Sequence, residues 1–192
     1  MGAPIVSIVK AGEDVELAVR EAVSLAGGLD EIVNSKSKVL IKPNLASCDR
    51  SGTGKITNAR VTEAVTRIVL ERKPKEVIIG EGSGVGYDFP DLQDTMKAME
   101  LSGTKEVAEK LGVPVVDLNQ DRHREVEVPN ALVMKSVKIA ETVLDSDVII
   151  SIPVMKTHIR TAVTLSLKNM KGVMLGVEKK TVSYTHLRAH ET

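Results

Sequence analysis

Short apolar runs recur along this chain at a spacing of about 36 residues, near residues 39–41, 77–79, 113–116 and 148–152. The runs are brief and do not alternate with polar residues. That pattern suits strands buried on both faces of a parallel sheet. Between them lie stretches with helical spacing, such as Val61, Ala64, Val65, Ile68 and Val69. The βα alternation predicts an open, mostly parallel sheet with helices on both faces, a Rossmann-like three-layer α/β fold.

Other elements fit around this frame. Residues 5–9 (IVSIV) read as a first strand. Asp14 opens a helix that ends at Gly27 and Gly28, and a short helix is expected over 29–33. Thr57 or Asn58 can cap a helix over 59–71. Helices are expected over 91–101 and 104–111, an edge strand over 125–128, and a strand followed by a helix over 135–145. Residues 161–171 read as a helix with Val163, Leu167, Met170 and Met174 facing the core. Thr161, Thr164, Lys168 and Lys171 would form its polar stripe.

The functional consequence concerns strand ends. In an open α/β sheet the carboxyl ends of the strands share one edge, where ligands bind. Here those ends carry Lys42 and Asn44, Glu81 and Ser83, Asp117 and Asn119, and Lys156 and His158. The loop after the second run, Gly80 to Gly86, alternates glycine with other residues, so its backbone at Gly82, Ser83 and Gly84 can approach a ligand closely. It matches neither the dinucleotide nor the phosphate-loop glycine pattern.

Residues 147–176 are the most chemically loaded stretch. Lys156, His158, Arg160, Lys168 and Lys171 occur with no acidic residue between Asp147 and Glu178. Thr157, Thr161, Thr164, Ser166 and Asn169 are interleaved. Lys42, Lys156 and Arg160 suit charge-assisted hydrogen bonds to a carboxylate or phosphate, with Asn44, Thr157, Thr161, Lys168, Asn169 and Lys171 as further ligand-binding candidates. His158 and Lys156 are candidate catalytic groups. Glu81 is a third, and with Asp117 an alternative base or ligand of a hard cation such as Mg²⁺. The competing reading of the lysines is a solvated basic face. His123 sits in a polar run and reads as solvated.

Composition excludes several classes. Formal net charge is zero, and the aromatic residues are limited to Tyr87, Phe89 and Tyr184. Both facts argue against a nucleic-acid binder. The single cysteine, Cys48, excludes a disulfide framework and a four-thiolate iron–sulfur cluster ligated within this chain. No run approaches the ~18 apolar residues of a membrane helix, and no secretion signal opens the chain, so a cytoplasmic location is expected.

The segments PVMKTH and TLSLKNMKGV, with Ile41-Lys42-Pro43-Asn44 and Gly80-Glu81-Gly82-Ser83-Gly84, resemble the signature of the domain of unknown function 362 family. The resemblance runs from about Val6 to Lys180. It implies an α/β fold and a site without naming a substrate. Members often lie beside, or are fused to, ferredoxin-like four-iron–four-sulfur modules. The resemblance therefore implies a cluster on a partner or a missing segment, not in this chain.

Residues 181–192 continue no apolar period. From Val182 the segment resembles a translated sequencing-adapter tail, so 1–181 is expected to be one partial domain and 182–192 non-native. His186 and His190 are excluded from the site on that ground, and the natural chain is expected to continue past Lys180. Two functions follow as expectations. One is an enzyme domain with a basic strand-end crevice for a small anion, linked to iron–sulfur redox chemistry. The other is a non-catalytic adaptor or scaffold for an iron–sulfur partner, marked by a flat basic patch instead of a crevice.

Overall fold

A computed structural model describes residues 4–84, 94–131, 134–158, 162–176 and 178–179. In chain order its first elements are α1 (Val15–Leu25), β1 (Lys38–Pro43), α2 (Ala59–Leu70), β2 (Glu76–Glu81), α3 (Thr95–Leu101) and α4 (Thr104–Leu111). There follow β3 (Val115–Asp117), β4 (His123–Glu127), β5 (Ser136–Ala140), α5 (Glu141–Leu144) and β6 (Val148–Ile152). The last described elements are β7 (Lys156–His158), β8 (Ala162–Thr164), α6 (Ser166–Asn169) and a 3₁₀ turn, Met170–Val173.

Four strands form one parallel sheet in the order β3-β2-β1-β6. Side chains alternate between its faces. Val39, Ile41, Val77 and Ile79 pack with Val65 and Val69 of α2 and Ala108 of α4. Leu40 and Ile78 point the other way, against Ala140, Val143, Val173 and Leu118. The three-layer α/β expectation is met. The chain steps from β1 to β2 to β3 in one direction, then returns to place β6 on the other side of β1. The order of the strands therefore reverses between β1 and β6, where open α/β sheets bind ligands.

Local chemistry sets the helix starts. Asp14 Oδ1 accepts from Leu17 N at 3.0 Å, and Asn58 Oδ1 accepts from Arg60 N at 3.0 Å. Asp94 Oδ1 accepts from Met96 N at 2.8 Å and caps α3, and positions 91–93 of the expected helix lie outside the described residues. The strand-then-helix reading of 135–145 matches β5 and α5, and the edge strand near 125 is β4. β4 pairs antiparallel with β5, outside the central sheet.

Four expectations are corrected. Residues 5–9 form no strand: Ile8 is 92% exposed and the segment pairs with nothing in the sheet. Residues 29–33 form turns, closed by the bond from Val33 N to Leu29 O at 2.8 Å. β6 lies at the edge of the described sheet, with Ile149 half-exposed, and is not buried on both faces. The predicted helix over 161–171 is replaced by a β7–β8 hairpin followed by the four-residue α6. Leu167 is 93% exposed and Val163 faces outward, so the apolar stripe fails in its first half. Met170 and Met174 do pack against the core. Val163 and Thr164 carry β-branched side chains, which favour the strand.

Candidate functional site

The carboxyl edge of the sheet is assembled around a buried pair. Lys42, near the end of β1, donates to the Glu81 carboxylate at the end of β2. Lys42 is 0% and Glu81 3% exposed. Lys42 Nζ also donates to Asn169 Oδ1 at 3.2 Å. Asn169 Nδ2 donates back to Lys42 O at 3.2 Å and to Ser151 Oγ at 2.9 Å. One amide thus straps β1 to β6 across the point where strand order reverses. Thr57 repeats the strap: its hydroxyl donates to Ile152 O at 2.6 Å and accepts from Asn44 N at 2.8 Å.

A second buried cluster sits beside the first. Lys179 Nζ donates to Gly82 O at 2.9 Å and to the Asn119 side-chain oxygen. Asn119 Nδ2 is held by Ser83 O at 3.1 Å and Thr95 Oγ1 at 3.2 Å. The two clusters touch through two glycines. A Cβ on Gly82 would meet the Gly172 carbonyl and stand 2.7 Å from Lys179 Nζ. A Cβ on Gly172 would meet the Glu81 carboxylate and stand 2.6 Å from Lys42 Nζ. No side chain fits at either position without displacing a charged group.

Above these groups opens a cleft of about 260 Å³, small for a ligand site. Lys156, Lys168, Lys171 and Lys179 line it, with Asn44, Glu81, Gly82, Gly84 and Asn169. Glu81 is the one carboxylate among these described lining residues. Burial pushes the Lys42 ammonium down and the Glu81 carboxyl up, each opposed by the other's charge. Burial, with the charges of Lys42 and Lys171, brings Lys179 down to about 8 against the pull of Glu81 and Asp117. Burial also lowers Lys156, opposed by Asp49. Lys156 Nζ donates to Asn44 Oδ1 at 3.3 Å and to the Lys55 carbonyl.

The structure therefore brings together Lys42, Asn44, Glu81, Gly82, Gly84, Lys156, Lys168, Asn169 and Lys171. Lys42 lies beneath the cleft, holding Glu81, and does not line it. Ser83 is buried, and its backbone N–H donates to Thr95 Oγ1 at 3.2 Å. Thr157 is exposed on the hairpin, in register with Val163. His158 closes β7, its backbone in register with Ala162. Arg160 and Thr161 lie outside the described residues. Asp117 Oδ1 accepts from Asn119 N at 2.9 Å and turns the chain after β3, without lining the cleft. His123 is in β4 and does not line it either.

Lys179 was not singled out by sequence. It sits in the short charged run Glu178-Lys179-Lys180, which looks like any solvated segment. Asn119 was visible as a strand-end residue, but its role in holding that lysine was not. Cys48 is half-buried, and the described residues contain no group of three or more His, Cys, Asp or Glu side chains able to hold a metal ion. A thiolate-ligated cluster does not fit this chain, which has one cysteine.

A parallel sheet with a basic cleft at its strand-order reversal defines an α/β protein of the Rossmann-like class. The sequence matches the domain of unknown function DUF362 over residues 39–191, and the chain belongs to that family. It is similar to the thylakoid-associated protein sll1697 of Synechocystis sp., 25% identical over 172 residues. That alignment covers 90% of this chain and 49% of the relative, so the chain spans about half the relative's length. No helix among the described residues is long and apolar enough to cross a membrane.

Proposed function

We propose that the cleft binds a small carboxylate or phosphate and that the domain acts on it as an enzyme. The supporting observation is one of charge balance in a recessed space. Four lysines line the cleft, while Glu81 is already matched by Lys42 beneath it. Among the described lining residues an anion entering there meets four ammonium groups and one carboxylate away from bulk water, where such contacts are strongest. The recess favours this reading over a flat docking patch. The iron–sulfur link of the family enters through a ferredoxin-like partner or module that carries the cluster. The expected cytoplasmic setting belongs to this proposal, beside a relative named for its thylakoid association.

Calorimetric titration with inorganic phosphate and with succinate tests the reading. Saturable binding that weakens with added salt and in Lys171→Met is expected. Absence of binding by both anions at low salt overturns it. The adaptor reading draws on a different observation. Met155 is 77% exposed, and Val163, Leu165 and Leu167 are exposed on the hairpin and α6 beside the cleft. That rim suits a protein partner. Pull-down of a reduced ferredoxin that survives Lys171→Met but not Leu167→Asp would favour the adaptor.

A further inference from the structure

We propose that Lys179 is a nucleophilic amine that condenses with the carbonyl carbon of a small oxo acid held in this cleft. The proposal rests on the anion reading above, since the acid group of the substrate is what the remaining lysines would seat. The geometry around Lys179 is that of a fixed amine, not of a surface lysine. Its Nζ is held by Gly82 O at 2.9 Å and by the Asn119 side chain. Asn119 is in turn fixed by Ser83 O and Thr95 Oγ1. Gly82 supplies the space, because a Cβ there would stand 2.7 Å from Nζ. The residue is 4% exposed overall, yet it lines the cleft.

The chemistry asks for an amine that is partly neutral near physiological pH, and lysines reach that state when desolvated beside other cations. Among the described residues the charged groups facing Lys179 include Lys42 of β1, Glu81 of β2, Asp117 of β3 and Lys171 of the 3₁₀ turn. Burial outweighs the two carboxylates and sets the amine at about 8. In the step itself, the Nζ lone pair forms a bond to the carbonyl carbon. The carbonyl oxygen takes up the two amine protons and leaves as water. The product is an imine, and on protonation its N–H has two oxygen acceptors in place, Gly82 O and Asn119 Oδ1. A tie between the ends of β2 and β3 would need the same two hydrogen bonds but would not react.

The experiment is reductive trapping. The whole protein is incubated with pyruvate or 2-oxoglutarate and sodium borohydride, and the modified lysine is read by peptide mass mapping. Phosphate binding is measured in parallel. A reduced adduct concentrated on Lys179, suppressed by phosphate and lowered roughly tenfold in Lys179→Arg, supports the proposal. Mapping on the unaltered protein reads the site even if the variant fails to fold. Phosphate binding without an adduct, or an adduct spread evenly over the lysines, overturns the imine and leaves the anion site standing. Absence of the adduct together with absence of phosphate and succinate binding overturns both readings. An adduct on Lys179 without phosphate binding supports the proposal and narrows the anion site to carboxylates.

Discussion

Lys42 and Glu81 project from adjacent parallel strands, just past the paired residues Ile41 and Ile79, and meet with side chains 0% and 4% exposed. Removing one partner strands the other charge in the interior. Glu81→Ala or Lys42→Met alone should therefore destabilise by about 3–5 kcal/mol. The double variant Lys42→Met/Glu81→Leu should recover most of that loss, because both desolvation costs vanish together. Urea unfolding of the three variants checks this. Additive losses would mean the two groups are not coupled.

Lys179 should make stability rise with pH in a defined window. Its folded value of about 8 lies below the ordinary 10.5. Between those values the folded chain binds fewer protons than the unfolded chain, so unfolding becomes less favourable as pH rises. The burial penalty is present in full below about 8 and is relieved by about 3 kcal/mol by the top of the window. Stability measured near pH 8 and near pH 10.5, wild type minus Lys179→Met, isolates this group from others titrating there. A flat difference would place the amine in ordinary contact with water.

Gly172→Ala should force apart the 3₁₀ turn and the buried pair, since the new methyl meets both the Glu81 carboxylate and Lys42. A loss of about 1–3 kcal/mol is expected, the usual cost of overpacking. Gly84→Ala, which meets nothing within 4 Å, is the control and should change stability little. Equal thermal midpoints for the two variants would show that the turn does not rest on the pair.

The position of β6 at the sheet edge has its own signature. Ile41 of β1 is fully buried, and Ile41→Ala should cost about 2–5 kcal/mol. Ile149 of β6 is half-exposed, and Ile149→Ala should cost less than about 1 kcal/mol. Comparable losses in chemical denaturation would mean that β6 is covered on its outer face in solution.

The parallel sheet and the convergence of its strand ends were legible because both depend on local signals. Apolar runs of strand length mark the strands, and polar residues directly after them mark one edge. That logic found Lys42, Asn44, Glu81 and Lys156. It failed where two local patterns compete. Val163, Leu167, Met170 and Met174 have helical spacing, yet tertiary pairing drew residues 162–164 into a hairpin and left Leu167 outside. It also failed where a residue's role is set wholly by distant neighbours. Lys179 owes its environment to Gly82 and Asn119, which lie 97 and 60 positions earlier. The isolated run at 5–9 looked like a strand because a short apolar run carries no information on whether a partner exists.

β6 pairs with β1 on one side only, so among the described residues its outer row of backbone N–H and C=O groups has no ladder partner. The charged groups at the reversal belong mainly to the inner strands β1 and β2, and the strap through Asn169 reaches β6 by the Ser151 side chain, not by its outer backbone. A further strand could therefore dock along β6 and widen the sheet without rearranging the Lys42–Glu81 pair. The architecture separates an interior closed around the Lys42–Glu81 pair from a margin at which the fold can grow.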